Sequence, residues 1–436
     1  MSKHEPKLSR REFTTGAASL VAASALSPSL HAQGGSDKLR VGIIGCGSRC
    51  SVDARDLQIA GGDVEIVAFA DMFQDKVDAF LKTLKSPKAY WGKYDKAQGK
   101  VKVTPNDIYL GFDAADKLIA RQDVDLIILA TPPAFRPIHA EKAVQAGKHL
   151  FMEKPGAVDV TGIRKLMAVH EEADRRGLSI AVGTQARRMP HYIETIRRIN
   201  EGAIGKVTTG LAYWHGGMVD WHWEAQKPGM SDMEHQIRAW PHFLWIGGDH
   251  YVEQHLHNLD VMNWVLGTPK QCFGRGGQAQ RKDKGPIFDH FAVEFEYDNG
   301  VRVISGASQL KGCSDIVGER FLGPDGEAWL SRGGCYIKGK NPWKWEGDLS
   351  SGGQEQFADL TGAIRNNKPI NECRRLAEAT MMTIMGRMST YSGRALSWKW
   401  ALKSSREDLA LAPDLLRLNA TLPKREVPVP GVTRLV

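Results

Sequence analysis

Two short stretches hold residues whose types and spacing suit acid–base chemistry at a hydroxyl group. The first is Glu153-Lys154-Pro155, where a lysine follows an apolar run ending at Met152. An ammonium at the end of a parallel strand stands on the edge where open α/β sheets bind ligands. There it can donate to a substrate hydroxyl and stabilise developing alkoxide character. The second stretch, 248–264, sets His250, Glu253, His257 and Asp260 at helical spacing. At about 3.6 residues per turn these four share one face of a helix, and Val252, Leu256 and Leu259 pack from the opposite face. A carboxylate one turn from an imidazole orients the ring and raises its basicity, which makes His257 a general base with Glu253 as its orienting group. A metal site built from His250, Glu253, His255 and His257 is a rival reading, although His255 points to a different face. The plain alternatives are a solvated lysine and a hydrogen-bonded structural histidine.

Such groups must be carried by elements that bring them together. Residues 39–46 form an apolar, β-branched run that stops at Gly45-Cys46-Gly47-Ser48-Arg49-Cys50, and a helix-like stretch follows over 52–60. A phosphate cradle requires this order: glycines permit a tight turn and close backbone approach, and a helix N-terminus offers free amides to an anion. Gly45, Gly47, Ser48 and Arg49 are the candidate contacts. Asp71 closes a second apolar run, 64–70, where a carboxylate can accept hydrogen bonds from an adenosine ribose. Cys50 replaces the third glycine of the pattern, which loosens helix-to-strand packing without removing the phosphate contact. Thr131 and Pro132 end a strand over 124–130, and Glu153 and Lys154 end one over 149–152. With helices over 138–146 and 160–176 and a strand over 178–183, the alternation predicts a doubly wound parallel sheet. After residue 186 the rhythm changes to alternating, Trp-rich segments at 207–214, 291–297, 301–308 and 319–322, which predict an open, mainly antiparallel sheet. The fold class is therefore α/β. A Rossmann-type domain is expected over 36–186, an α+β domain over 187–420 and an extended arm over 421–436. Gln185 and Arg188 follow the last parallel strand, and His215 ends the first strand of the second domain. With Asp260, these are the candidate substrate-binding residues.

Gly45-Cys46-Gly47, Asp71, Thr131-Pro132, Glu153-Lys154-Pro155 and the segment with Glu253, His257 and Asp260 resemble the glucose-fructose oxidoreductase and inositol dehydrogenase family, Gfo/Idh/MocA. The resemblance covers nearly all of the chain after residue 32. It implies a nicotinamide-dependent oxidoreductase acting on ring hydroxyls of sugars and cyclitols, with Lys154 matching the family's active-site lysine and His257 its catalytic histidine. Glu253 stands where an aspartate is commoner, and His255 where glycine is usual, a bulk expected to narrow or reshape the pocket. Asp71 favours NAD over NADP because its charge repels a 2′-phosphate, with Arg49 a small counterweight. The expected partners are a small-molecule sugar and further copies of the chain, in a dimer or tetramer formed through the open sheet. Two rivals differ in class: a glycoside hydrolase or lyase working through transient oxidation by NAD, and a sugar-binding protein that has lost catalysis.

Composition narrows the field further. The 436 residues are 42% hydrophobic and 25% charged, the profile of a globular protein. A formal net charge of +8 invites a nucleic-acid reading, but the cations are scattered singly or in pairs such as Arg187-Arg188, so no nucleic-acid partner is expected. No stretch beyond the first thirty residues is apolar enough to span a bilayer. Ser9-Arg10-Arg11-Glu12-Phe13-Thr14, an apolar run over 16–26 and His31-Ala32-Gln33 resemble a twin-arginine export signal over 1–32, which implies a periplasmic protein. Six cysteines lack metal-type spacing apart from Cys46 and Cys50, and no metal is expected. Such proteins fold before export, in a reducing cytosol, so free thiols are expected, with Cys313 and Cys335 the one pairing considered.

Overall fold

The structure, a computed structural model, describes residues 38–436 apart from 87, 90, 91 and 94–98. The expected export signal and its cleavage site lie outside the described residues. In chain order the first strands are β1 (Leu39–Ile44), β2 (Val64–Asp71), the short hairpin β3 (Lys88–Ala89) and β4 (Gly92–Lys93), then β5 (Ile108–Leu110). After them come β6 (Leu126–Leu129), β7 (His149–Met152) and β8 (Ile180–Val182). Without the hairpin they form a six-stranded parallel sheet in the order β5-β2-β1-β6-β7-β8.

β6 and β7 are buried at every position, as parallel strands are when helices cover both faces. Ile127, Leu129, Leu150 and Met152 join one core with the helices Arg136–Gln145 and Val160–Arg176. Leu126, Ile128 and Phe151 face the other way, towards the helices Ser48–Ala60 and Gln74–Lys85. A third helix on that side, Gly353–Arg365, returns from far along the chain through Phe357 and Leu360, a contribution to the first sheet that its position in the sequence does not suggest.

The second sheet has nine strands in the order β16-β15-β14-β13-β9-β12-β11-β10-β17. These are β9 (Thr209–Gly216), β10 (Gln271–Gly277), β11 (His290–Glu296), β12 (Arg302–Gln309), β13 (Ile316–Gly323), β14 (Gly326–Ser331), β15 (Gly334–Gly339), β16 (Trp343–Lys344) and β17 (Leu396–Ser397). β9 and β12 run parallel, and the other neighbours are antiparallel. Val293, Phe295, Val303 and Phe321 on its inner face continue the first core beneath the helices Leu256–Leu266 and Cys373–Ser392. Cys373–Ser392 is buried almost all round, and three of its hydroxyls are satisfied within the helix: Thr380, Thr390 and Ser392 donate one turn back to Leu376, Gly386 and Met388. The outer face carries a row formed by Phe273, Glu294, Ile304 and Leu211, with Phe273 46% and Ile304 43% exposed.

All six cysteines are free, and the considered pair is not formed: Cys335 is buried on β15 and Cys313 is exposed in the loop after β12. Among the described residues no helix is long and apolar enough to cross a membrane.

Candidate functional site

The carboxyl edge of the parallel sheet is built around the turn after β1. Gly45 has φ +97°, and an added Cβ there would lie 2.7 Å from the backbone of Ala130 and Thr131, so only glycine permits the approach. Gly47 then opens the helix Ser48–Ala60 with no side-chain cap, and nothing lies within 4 Å of the place a Cβ would take. Uncapped first-turn amides facing open space fit a dinucleotide's pyrophosphate. Beside the turn, Thr131 Oγ1 is buried without a partner, while Pro132 leads the chain into the helix Arg136–Gln145. Gly47, Ser48 and Thr131 are thus the groups that would hold the cofactor.

Asp71 stands at the end of β2 as expected, and its carboxylate also fixes the turn by accepting from the amides of Cys46 at 2.7 Å and Phe73 at 3.0 Å. A carboxylate has about four acceptor positions, so capacity remains for a ribose. Arg49 corrects the sequence reading. Its guanidinium donates to Asp53 at 2.5 Å and to Glu153 at 2.8 Å, and so is drawn towards β7. The small weight it lent to NADP is removed. Glu153, 1% exposed, also accepts from the amide of Lys154 at 2.9 Å. A Cβ at residue 183 would lie 2.5 Å from the Glu153 carboxylate, so a glycine is needed there.

The stretch 248–266 is not one helix. Gly248 and Asp249 have φ of +79° and +87°, His250–Glu253 makes a single turn, and Leu256–Leu266 begins a new helix. Buried Asp249 fixes the break: it accepts from the amides of Tyr251 at 3.1 Å and Phe288 at 3.2 Å and from the Tyr391 hydroxyl. The expected common face of His250, Glu253, His257 and Asp260 is therefore lost. Lys154 Nζ donates to the Glu253 carboxylate and to its backbone carbonyl, at 2.6 Å each. Glu253 thus orients Lys154, in place of its expected role on His257. Two of the three ammonium protons are used, and one is left for a substrate.

His257 stacks on Trp214 of β9, with ring centroids 5.8 Å apart and 22° between planes. Burial, and then the charges of Lys154, Arg332 and Arg49, hold its pKa well below the usual 6.5, so the ring is neutral at pH 7. The rival metal set diverges. His250 packs on Phe291, His255 bonds Ser305 Oγ at 2.7 Å on the inner face of β12, and His257 lies on Trp214. The bulk of His255 is accommodated in the core and does not narrow the pocket as expected.

Of the four candidate substrate residues, three are placed elsewhere. Asp260 is buried in ion pairs with Arg187 at 2.9 Å and Arg375 at 3.7 Å, which tie the segment after β8 to the helix Leu256–Leu266. Arg188 pairs with Glu372 and Asp359, on the helices that return from the C-terminal part. His215 bonds Ser308 Oγ at 2.9 Å on the outer face of β9, because alternation puts it opposite Trp214. Gln185 is buried near the cofactor edge, donating to the Gly183 carbonyl at 3.2 Å and accepting from Arg49 at 2.9 Å.

Behind Glu253 the structure adds residues that sequence reasoning missed. Trp221, Pro241, His242, His250, Glu253, Gln254, Arg281 and Gln309 pack around one another there, leaving no room for a water molecule. Arg281 lies in a run of Gln, Lys, Asp and Gly that has the composition of a solvated loop, so no local signal marks it as buried.

The chain thus joins a dinucleotide-type parallel sheet to a mainly antiparallel one. Residues 39–182 match the Gfo/Idh/MocA model, described as an oxidoreductase family with an NAD-binding Rossmann fold. The chain is 24% identical over 294 residues to a glycosyl hydrolase family 109 protein of a Shewanella species, covering 64% of this chain and 58% of that one. It is 27% identical over 198 residues to a 2,7-anhydro-N-acetylneuraminate hydratase of Mediterraneibacter gnavus, covering 44% and 48%. The chain spans about half the length of the curated relatives it matches. In fold it is similar to an aldose-aldose oxidoreductase of Caulobacter crescentus, with TM-score 0.61, 18% identity and coverage of 83% and 98%.

Proposed function

We propose that this protein is an NAD-dependent oxidoreductase that transfers a hydride to or from a ring hydroxyl carbon of a sugar, cyclitol or sugar derivative. The observation that carries the reading is the Lys154–Glu253 pair beside neutral His257 at the carboxyl edge of the parallel sheet. When bound, the nicotinamide supplies the hydride acceptor or donor. Lys154 donates its remaining N–H to the reacting oxygen, and Glu253 keeps the ammonium aimed. His257 accepts the hydroxyl proton on a ring nitrogen, with its ring plane set by Trp214. NAD is favoured over NADP by the Asp71 carboxylate and by the engagement of Arg49 with Asp53 and Glu153.

A second reading, a hydrolase or lyase that passes through a transient keto-sugar and restores its cofactor, is supported by the names of the two relatives above. A panel of sugars and glycosides separates the two: keto-sugars with reduced cofactor indicate the dehydrogenase, and released aglycone without net reduction indicates the second reading. Binding of sugars without any product would show a non-catalytic protein.

The N-terminal pattern supports export to the periplasm in folded form with the cofactor retained. Protein purified without added cofactor then yields about one NAD(H) per chain on acid release, and empty protein needing free NAD in excess counts against this. Fractionation of cells carrying the full chain, or an Arg10→Lys, Arg11→Lys variant, tests the location. The exposed row with Phe273 and Ile304 supports pairing with a second copy through the outer sheet face, which Ile304→Glu would disrupt in sedimentation.

A further inference from the structure

The segment 217–238, which follows β9, is anchored at two separate places on the carboxyl edge of the parallel sheet. At one end the helix Asp232–Arg238 is fastened to the residues after β2. The Arg238 guanidinium lies 3.8 Å from the centre of the Phe73 ring and pairs with Asp75 at 3.0 Å, while Met233 and Ile237 share a core with Phe73. At the other end Trp221 packs against Glu253, the carboxylate that holds Lys154 at 2.6 Å after β7. The β2 end is where a carboxylate takes the adenosine ribose, and Lys154 marks the end where the hydride is exchanged. The segment therefore spans the length of a dinucleotide bound on this edge.

Between the two anchors stands His222, at φ +57°, a left-handed conformation that a side chain disfavours and glycine takes freely. The backbone on either side is fixed: the Trp221 carbonyl accepts from His242 Nε2 and the Glu224 carbonyl from His235 Nε2, at 2.8 Å each. Trp223 meets the His242 ring edge to face at 4.9 Å. His222 itself is exposed, with its ring centroid 4.5 Å from that of Trp221, and the ring makes no hydrogen bond among the described residues. Burial holds its pKa below the usual 6.5, with Glu253 opposing and Lys76 adding, so the ring is neutral at pH 7 and has one N–H to donate. Lys76 lies in the first turn of the helix after β2, so His222 feels one charge from each end of the edge. A costly backbone conformation held by its surroundings marks a side chain with a task. We propose that the segment 217–238 is a strap across the bound dinucleotide and that His222 donates to an oxygen of its pyrophosphate, from the side opposite the amides of the glycine turn. The pyrophosphate joins the two nucleosides, as His222 stands between the two anchors. The proposal rests on the NAD-dependent reading and supplies a means of retaining the cofactor.

The test measures NAD(H) retained per chain, the Kd for NADH by fluorescence titration of cofactor-stripped protein, and the Tm of that stripped protein, for wild type, His222→Gly and His222→Asn. Glycine relieves the backbone and removes the donor. His222→Gly is therefore expected to match or exceed the wild-type Tm, to raise the Kd for NADH about tenfold or more, the effect of one charge-assisted hydrogen bond, and to lose NAD(H) during purification. Asparagine tolerates the left-handed backbone and keeps a donor, so His222→Asn should fall between the two. NADH bound equally by wild type and His222→Gly overturns the proposal and leaves the oxidoreductase reading standing. Wild-type protein with no affinity for NADH overturns the reading and the proposal together. A fall in the cofactor-free Tm of both variants makes His222 structural and overturns the proposal. Unchanged NADH affinity with an altered KM for sugar places His222 on the substrate instead, which also overturns it.

Discussion

The two sides of the cleft differ in how fully their polar groups are paired, although Thr131 Oγ1 and Asp53 Oδ2 on the parallel-sheet side are also buried without partners. On the parallel-sheet side Arg49 is held by Asp53 and Glu153, Glu153 by Arg49 and a backbone amide, and Asp71 by two amides of the turn it closes. Across the cleft, Arg281 Nε, Glu253 Oε2 and both nitrogens of His250 are buried without partners. A dinucleotide presents the same atoms in every turnover, so its side can be locked by backbone and ion pairs. Each unsatisfied buried group on the second side costs about 1–3 kcal/mol of stability. Lys154 with Glu253 joins the two sides directly through a buried ion pair.

The variant expected to break this arrangement most severely is Lys154→Met. Turnover should fall by about 10²–10³ with loss of the donor to the reacting oxygen. Stability should fall too, by about 3–5 kcal/mol, because Glu253 is left as an unpaired buried charge. The double variant Lys154→Met, Glu253→Gln should recover most of the stability in denaturant melts and none of the rate. A single variant keeping more than about a third of the wild-type rate would remove Lys154 from the mechanism.

His257→Asn should reduce turnover by about 10²-fold or more and abolish the acid limb of the pH–rate profile. Because the His257 pKa is depressed, the neutral base is present at pH 7 and lost only as pH falls below the usual 6.5. A wild-type limb centred above that value would assign it to another group.

A third pair of variants lies within the glycine turn. Gly45→Ala forces a side chain into a positive-φ position, at about 1–2 kcal/mol, and against the backbone of Ala130 and Thr131, so it should lower Tm. Gly47→Ala has φ −85° and open space, so it should fold normally while retaining less NAD after purification. Equal effects on Tm would show that Gly47 is structural.

The smallest effect concerns Glu319 on β13, a buried acid bonded by Asn258 at 2.5 Å and Tyr192 at 3.1 Å. Burial pushes its pKa from 4.5 up to about 8. A raised folded-state pKa contributes stability fully present below 4.5 and lost as pH rises through about 8. Glu319→Gln should therefore gain a few degrees of Tm relative to wild type between about pH 5 and pH 9. An unchanged difference would show that Glu319 is ionised in the folded protein.

The glycine turn, Asp71 and the Glu-Lys-Pro strand end were legible because each is set by short-range backbone demands that leave their mark in a few adjacent residues. The parallel sheet was legible for a related reason: strands buried on both faces are continuous apolar runs with short links. The segment 248–266 misled because its helical spacing is genuine, yet Asp249 is held from outside by Phe288 and Tyr391. His215 was assigned to the pocket from its place in the chain, and only the pairing of β9 with β12 decided which face it occupies.

By itself the sequence determined the layered architecture, the cofactor edge and the identity of Lys154 and His257 as candidates. The tertiary structure decided which carboxylate serves Lys154, that Asp260 and Arg188 are structural, and that a polar loop buries Arg281. It also placed Cys373–Ser392, whose mix of Thr, Ser, Arg and Met carries no clear apolar stripe, at the centre of the core. Local conformation follows from neighbouring residues, whereas burial and charge pairing follow from groups far apart in the chain that only folding brings within a few ångströms.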